Sequence, residues 1–342
     1  VDKVFGTAMG RPSSAVFRTA DLVGLDTLAH VAANCRENLP DDAFRAAFDV
    51  PNFLSAMLEK KLLGDKTGGG FYKKSKNAAG RTILALNLET LAYEEQDKVR
   101  FESLGAVRNI EEVGKRTKAF LNHGDVASNF AWDVTADVLL YSAHLLGEIA
   151  DDVSNIDRAM RWGFAWEQGP FQTWDALGVA ESVARMRAEG RTIPAIVDKA
   201  VAAGGWYSRE GGRSQFLDVL GTGTLQPESE PKGRIVLRDL KEQGRVVERN
   251  DGATLIDLGD GVLGLEFHTK MNSLDGDIIG LYGKALDRLD GDDWQAMVVG
   301  SQGDHFSAGA NIFMVLGAAM QQDWAQIEAL TKGLQDTLMR AK

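Results

Sequence analysis

Residues 298–313, VVGSQGDHFSAGANIF, run from an apolar stretch through a small, glycine-bearing turn into a second apolar stretch. A strand that enters such a turn and leaves it as a helix aims backbone N–H groups at one point, because the first N–H groups of a helix have no acceptor within it. Donors fixed in this way stabilise negative charge developing on an oxygen without an ionised side chain. That is what forming an enolate from a thioester requires. The small residues Ser307 to Ala310 leave room for a ligand beside the backbone. A plain strand-to-helix turn in a buried α/β layer would show the same spacing, so both readings stand at this point.

Other chemistries find less support. The five histidines, at 30, 123, 144, 268 and 305, are scattered and form no HExxH pair, and Cys35 is the single cysteine, so neither a metal ligand set nor an internal disulfide is expected. The run from Gly303 to Gly309 misses the G-x-S-x-G spacing of a serine nucleophile elbow. Gly68-Gly69-Gly70 and Gly221-x-Gly223 do not stand between a strand pattern and a helix pattern, as a dinucleotide or phosphate cradle requires. Lys66 to Gly70 reads either as a segment that orders against a ligand or another domain, or as a flexible surface loop. Glu328 and Asp336 read as exposed helix charge, and Trp132, Trp162, Trp166 and Trp174 as core and packing residues.

The elements that would position these groups follow from periodicity. Leu22, Leu25, Leu28, Val31 and Cys35, and then Phe53, Leu54, Met57, Leu58 and Leu62, keep helical spacing. Residues 83–93, ILALNLETLAY, predict a strand or hairpin. One long amphipathic helix is expected from Asp125 to Ala150, followed by a capping signal at Ser154-Asn155-Ile156-Asp157. Beyond the Gly/Pro/charge-rich connector 221–234, TLIDLG and VLGLEF predict a hairpin around Gly259-Asp260-Gly261, then a helix over 274–289, a strand over 296–300, the turn, and helices to the end.

Two stretches repeat. Phe17, Thr19, Asp21 and Gly24 recur as Phe171, Thr173, Asp175 and Gly178 in register, Val1-Asp2 pairs with Ile156-Asp157 after a one-residue gap, and Phe71-Tyr72 pairs with Trp206-Tyr207 across a shortened loop. A tandem duplication is the simplest account. Asp21 and Asp175 are expected to sit at equivalent helix starts and to cap them.

At 342 residues, 44% apolar and 25% charged, the chain has material for two or three ordinary cores. Its 49 acids against 38 bases give a net charge of −11, which works against a polyanionic partner such as nucleic acid. No apolar run reaches the roughly 18 residues of a membrane span. A cytoplasmic protein without nucleic-acid or membrane partners is expected. The chain opens without methionine at Val1 and stops at Lys342 inside a helical pattern, so both ends are expected to be cuts.

The quoted motifs also resemble known families. From about Arg245 to Lys342 the chain is similar to the first part of the crotonase (enoyl-CoA hydratase) family, with Lys270-Met271-Asn272-Ser273-Leu274 resembling its adenine-side turn and FSAGAN its FSAGAD oxyanion turn. GRPSSAVFRTADLVGLD (10–26), GDKTGGGFY (64–72) and IDRAMRWGFAWEQGPFQTWDALG (156–178) resemble the helical C-terminal domain of 3-hydroxyacyl-CoA dehydrogenases. The resemblance implies that Ala310 supplies one backbone oxyanion N–H of an incomplete hole and that Lys270, Asn272, Ala308 and Ile312 lie near coenzyme A. Asn311 stands where that family usually has aspartate.

The implied fold is mainly α tandem helical repeats, like the dehydrogenase C-terminal domain, plus a truncated α/β crotonase-like segment. Its expected divisions are a first helical domain over 1–75, a connector over 76–124, a second helical domain over 125–220, a linker over 221–244 and the crotonase-like part over 245–342. The implied function is part of a bifunctional fatty-acid β-oxidation enzyme, an oxidoreductase and lyase that oxidises 3-hydroxyacyl-CoA with NAD and hydrates enoyl-CoA. Its substrates would be coenzyme A thioesters, its NAD domain would lie outside this chain, and no metal would be needed. A homo-oligomer or association with other β-oxidation enzymes would fit. The 342-residue chain alone is expected to be inactive. The alternative is a noncatalytic coenzyme A-binding or assembly module.

Overall fold

The computed structural model describes residues 1–77, 80–229, 233–291, 293–303 and 305–342. Residues 230–232 of the expected connector and Asp304 of the quoted turn lie outside the described residues. The chain divides into two compact units, one of residues 1–208 and 216–226, the other of residues 209–215 and 227–342.

The larger unit begins with helices α1 (Phe17–Val23), α2 (Leu25–Asn38) and α3 (Asn52–Glu59), followed by strands β1 (Tyr72–Asn77), β2 (Gly80–Leu86) and β3 (Tyr93–Glu95). Gly24, at φ 105°, breaks the first periodic stretch into two helices. The three strands form an antiparallel sheet in chain order, so 83–93 does contain a strand and its return. Helices α4 (Glu102–Ala106), α5 (Val113–Leu121), α6 (Val126–Leu145), α7 (Val153–Phe164), α8 (Pro170–Leu177), α9 (Val179–Ala188) and α10 (Ile196–Ala203) follow. The α6 helix stops at Leu145 rather than reaching Ala150, and α7 is capped by Asp152, whose carboxylate accepts the Asn155 N–H at 2.8 Å, two residues before the cap expected from sequence.

Two apolar clusters hold this unit. The larger gathers Phe120, Leu139, Phe171, Trp174, Met186 and Trp206, all fully buried, so α5, in the stretch read as a connector, contributes core. The smaller gathers Leu25, Leu54, Met57, Phe71 and Leu86. Each fully buried large side chain contributes roughly 1.5–3 kcal/mol by leaving water. Trp132 and Trp174 belong to the larger core, but Trp162 is 76% exposed, which corrects its assignment to packing: α7 turns its buried face, Val153, Ile156 and Asp157, away from it.

Strands β4 (Tyr207–Glu210), β5 (Arg213–Leu217) and β6 (Leu225–Pro227) form a second three-stranded sheet. The second unit then contains α11 (Leu237–Glu242), β7 (Val246–Arg249), β8 (Ala253–Gly259), β9 (Val262–Phe267), α12 (Gly276–Leu289), β10 (Ala296–Val299), α13 (Ile312–Met320) and α14 (Trp324–Arg340). Its sheet runs β10-β9-β8-β7, with β9 and β10 parallel and the other pairs antiparallel. The β8–β9 hairpin turns at Asp260, φ 51°, as the Gly-Asp-Gly signal predicts. The apolar face of α12, Ile278, Leu281, Ala285 and Leu286, covers Leu255, Leu263 and Leu265 of the sheet. The class is mixed α/β with three small sheets; the sequence suggested helical repeats followed by an α/β segment, and the two sheets β1-β2-β3 and β4-β5-β6 are additions to the helical part. The strands β1, β4 and β6 are short and polar, with none of the apolar alternation that announces a half-buried strand.

Candidate functional site

The turn that opens onto α13 is laced to the turn that precedes α12. The Ala308 N–H donates to the Met271 carbonyl at 3.0 Å, the Leu274 N–H to the Gly309 carbonyl at 2.8 Å, and the Asn311 N–H to the Leu274 carbonyl at 3.0 Å. Lys270, Met271 and Asn272 form a single 3-10 turn, with Met271 and Asn272 in the left-handed region at φ 54° and 52°. The structure thus brings Lys270 and Asn272 beside Ala308, Ala310 and Ile312, from stretches well separated in sequence.

Their roles differ. The Asn272 side chain is buried and committed to the turn: its Nδ2 donates to Ser301 Oγ at 2.9 Å and to the His305 carbonyl at 2.7 Å. Ser307 Oγ donates to the Asn272 carbonyl at 2.7 Å. Asn272 therefore shapes this place rather than presenting its amide outward. Lys270, Ala308, Ala310 and Ile312 are exposed. Asn311 caps α13 by accepting the Phe313 N–H at 3.2 Å. Among the described residues the Ala310 N–H has no acceptor, although both its neighbours along the chain are bonded to Leu274. What this arrangement offers chemically is one free backbone donor, one residue before a helix cap, in a turn fixed from both sides. Glu328 and Asp336 are exposed on α14.

A second constellation, which sequence reasoning located without reading its bonds, occurs twice in the larger unit. Asp21 is 1% exposed, and its two oxygens accept the N–H groups of Phe71 and Tyr72, each at 2.8 Å. The Tyr72 hydroxyl donates to Asp2 at 3.0 Å, and Asp2 also accepts the N–H groups of Val16, Phe17 and Arg18. In the second copy Asp175 accepts the N–H groups of Trp206 and Tyr207 at 2.8 Å, the Tyr207 hydroxyl donates to Asp157 at 2.8 Å, and Asp157 accepts the N–H groups of Phe171 and Gln172 at 2.9 Å. The aromatic pairs Phe17–Phe71 and Phe171–Trp206 recur with it, at 4.0 and 4.8 Å between ring centroids.

The expectation that Asp21 and Asp175 cap helix starts is corrected: they lie toward the ends of α1 and α8, and their bonds go to N–H groups distant in sequence. Burial raises the Asp21 carboxyl above its ordinary range and lifts Asp157 to about 7 and Asp175 to about 6, against the lowering pull of these bonds. Burial, then the neighbouring Asp2 carboxylate, raises the Tyr72 phenol.

The glycine loop wraps Asp21 closely. A Cβ on Gly64, φ 101°, would collide with the Asp21 carbonyl oxygen, and one on Gly70 with the Asp21 carboxylate. Gly64 lets the loop approach the Asp21 backbone, and Gly70 lets it approach the carboxylate. The loop follows a helix and precedes a strand and closes around the Asp21 carboxyl group, so it does not fit a nucleotide pyrophosphate. A cavity of about 730 Å³ opens beside it, lined by Asp2, Arg18, Asp65, Tyr72 and Lys74 among others. Among the described residues no group of histidines, cysteines and acids is arranged to hold a metal, and no helix is long and apolar enough to cross a membrane.

Comparison with known proteins covers the first repeat and extends beyond it. Residues 1–74 match the family model of the 3-hydroxyacyl-CoA dehydrogenase C-terminal domain. All of the chain aligns with 42% of a probable 3-hydroxyacyl-CoA dehydrogenase of Bacillus subtilis (strain 168), at 40% identity over 344 residues. It also aligns with 43% of a putative fatty acid oxidation complex trifunctional enzyme of Rickettsia felis, at 26% identity over its whole length. An 81-residue stretch is 47% identical to a probable 3-hydroxyacyl-CoA dehydrogenase of Deinococcus radiodurans, covering 24% of this chain and 22% of that protein. The chain spans less than half the length of the first two relatives. Residues 1–74 thus match the 3-hydroxyacyl-CoA dehydrogenase C-terminal domain, and the whole chain is similar to part of that dehydrogenase and of the fatty acid oxidation enzyme.

Proposed function

We propose that the chain is an internal portion of a fatty-acid β-oxidation enzyme that oxidises 3-hydroxyacyl-CoA with NAD and hydrates enoyl-CoA. The observation that carries the reading is the 40% identity along the entire chain to a probable 3-hydroxyacyl-CoA dehydrogenase, across both units and not only the first repeat. Residues 1–75 and 125–220 are two dehydrogenase C-terminal-like domains, and the twofold recurrence of the aspartate–tyrosine bonds supports their common descent. Residues 245–342 are the opening part of a crotonase-like domain.

In that domain the Ala310 N–H supplies one oxyanion donor, and Lys270, Ala308 and Ile312 face coenzyme A, with Asn272 holding their turn. The free Ala310 N–H and its tie to the 270–274 turn support this assignment. Hydration also needs a second donor and acid-base carboxylates. Loss of one oxyanion donor typically costs roughly 10²–10³ in rate, and loss of general acid-base catalysis a further ~10²–10⁴. The experiment is to express the full open reading frame containing this sequence and, separately, residues 1–342. The full protein should oxidise NADH with acetoacetyl-CoA and hydrate crotonyl-CoA, and the 342-residue chain should do neither. A full protein that binds coenzyme A and turns over neither substrate would replace this reading with a noncatalytic module.

A further inference from the structure

The aspartate–tyrosine constellation occurs twice, yet what is mounted on it differs between the copies. Residues 60–70 separate α3 from Phe71, whereas Gly204 and Gly205 alone separate α10 from Trp206. The added length of the first copy closes on itself: the Gly64 N–H donates to the Gly69 carbonyl at 2.9 Å, and the Gly69 N–H returns to the Gly64 carbonyl at 3.1 Å. Thr67 Oγ1 bridges the interior, 3.2 Å from each of those carbonyl oxygens. Two ion pairs brace the loop from outside. Arg18 grips Asp65 with two nitrogens, at 2.6 and 2.7 Å, and Lys66 pairs with Asp26. Paired two-point contacts of this kind fix direction as well as distance. The position matching Arg18 in the second copy is Gln172, and Asp65 has no partner position in the shortened loop.

Asp21 is the group on which the braced loop is mounted. It sits one helical turn from Arg18 on α1, it holds the N–H groups that end the loop, and Gly64 and Gly70 pack against it too closely for any side chain. Asp21 itself does not line the 730 Å³ cavity, but Arg18, Asp65, Gly68 and Tyr72 do. One wall of the cavity is therefore set by a carboxylate behind it.

We infer that Asp21 is a positioning residue for the dehydrogenase reaction, holding the cavity wall of Arg18, Asp65, Gly68 and Tyr72 where the acyl-thioester substrate meets it, while its counterpart Asp175 serves the fold alone. The inference rests on the proposed function. Asp21 makes and breaks no bond in the reaction. A displaced wall holds the substrate less well in ground state and transition state alike, so its cost falls on KM.

The test uses the full-length enzyme with acetoacetyl-CoA and NADH, comparing Asp21→Asn with Asp175→Asn and recording thermal unfolding beside kcat and KM. Asp21→Asn should lower kcat/KM by about tenfold or more, mostly through KM, whereas Asp175→Asn should lower the melting temperature and leave kcat/KM within about twofold. Should Asp21→Asn fail to fold, Asp65→Asn and Arg18→Met loosen the same wall from the solvent side and should raise KM in the same direction. Equal kinetic effects of Asp21→Asn and Asp175→Asn, or an unchanged KM in Asp21→Asn or in both rim variants, would overturn the inference while leaving the dehydrogenase reading intact. An unmodified enzyme unable to reduce acetoacetyl-CoA would overturn that reading, and this inference with it.

Discussion

Asn272 meets two demands that few residues satisfy together. Its backbone is left-handed, which asparagine tolerates far better than alanine, and its amide bonds Ser301 and the His305 carbonyl from inside the turn. Asn272→Ala should cost about 1–3 kcal/mol in urea unfolding, from the hydrogen bonds lost to Ser301 and the His305 carbonyl and from backbone strain together. Asn272→Gly should recover about 1 kcal/mol, the strain share alone. Equal stability of the two variants would show that the backbone conformation is not what asparagine serves. Asp157 and Asp175 make a different prediction. Their folded values, about 7 and about 6, lie above the ordinary aspartate value near 3.9, so between these limits the folded chain holds more protons than the unfolded one. This contribution to stability is therefore greatest at the acid end of that window and is lost as pH rises through it. Asp125, held at about 2 by the N–H groups of Ser128 and Ser103 against its burial, titrates below the window. The urea midpoint followed by tryptophan fluorescence should be higher near pH 5.5 than near pH 8, and Asp157→Asn should flatten the difference. A midpoint that climbs steadily with pH would contradict the assignment.

At the scale of elements, the loop on Asp21 is the most sharply constrained. A methyl group at Gly70 meets the Asp21 carboxylate with no room to yield, so Gly70→Ala should destabilise the chain by about 1–3 kcal/mol or more, measured as a fall in urea midpoint. Sequence periodicity located α2, α3 and α6; in the first two, Leu25, Leu54 and Met57 must face one core and their neighbours keep a spacing of three or four residues. It also placed the hairpin at Asp260, where Gly-Asp-Gly leaves few other conformations. The sheet β4-β5-β6 was not legible, since Tyr207-Ser208-Arg209-Glu210 lacks apolar alternation and gains its order from bonds to Asp175 and from its partner strands. For the same reason the repeat could be counted from Phe, Thr, Asp and Gly, while the purpose of its aspartates could not: their acceptors and donors lie dozens of residues apart, beyond any local pattern. In the FSAGAN turn the pairing with residues 270–274 came from resemblance, and spacing alone did not contain it.

At the scale of the whole chain, the second unit leaves much apolar surface uncovered. Ile312, Phe313, Leu316, Met320 and Trp324 are each more than half exposed on or beside α13. The 342-residue chain should bind a hydrophobic dye strongly, and the pair Ile312→Lys and Phe313→Lys should reduce that fluorescence markedly without lowering the unfolding midpoint, since neither side chain is packed. Undiminished dye binding would place the sticky surface elsewhere. The strand order adds a consequence of a different kind. Because the sheet runs β10-β9-β8-β7, β10 has one flank with no strand beside it among the described residues, and Val298 stands 53% exposed on it. An uncapped flank of this sort recruits whatever extended backbone comes near, and nothing in the strand, with neither proline nor charge, refuses it. Purified on its own, the chain should therefore grow with concentration into assemblies joined strand to strand, and a single Val298→Lys should keep it dispersed in sedimentation.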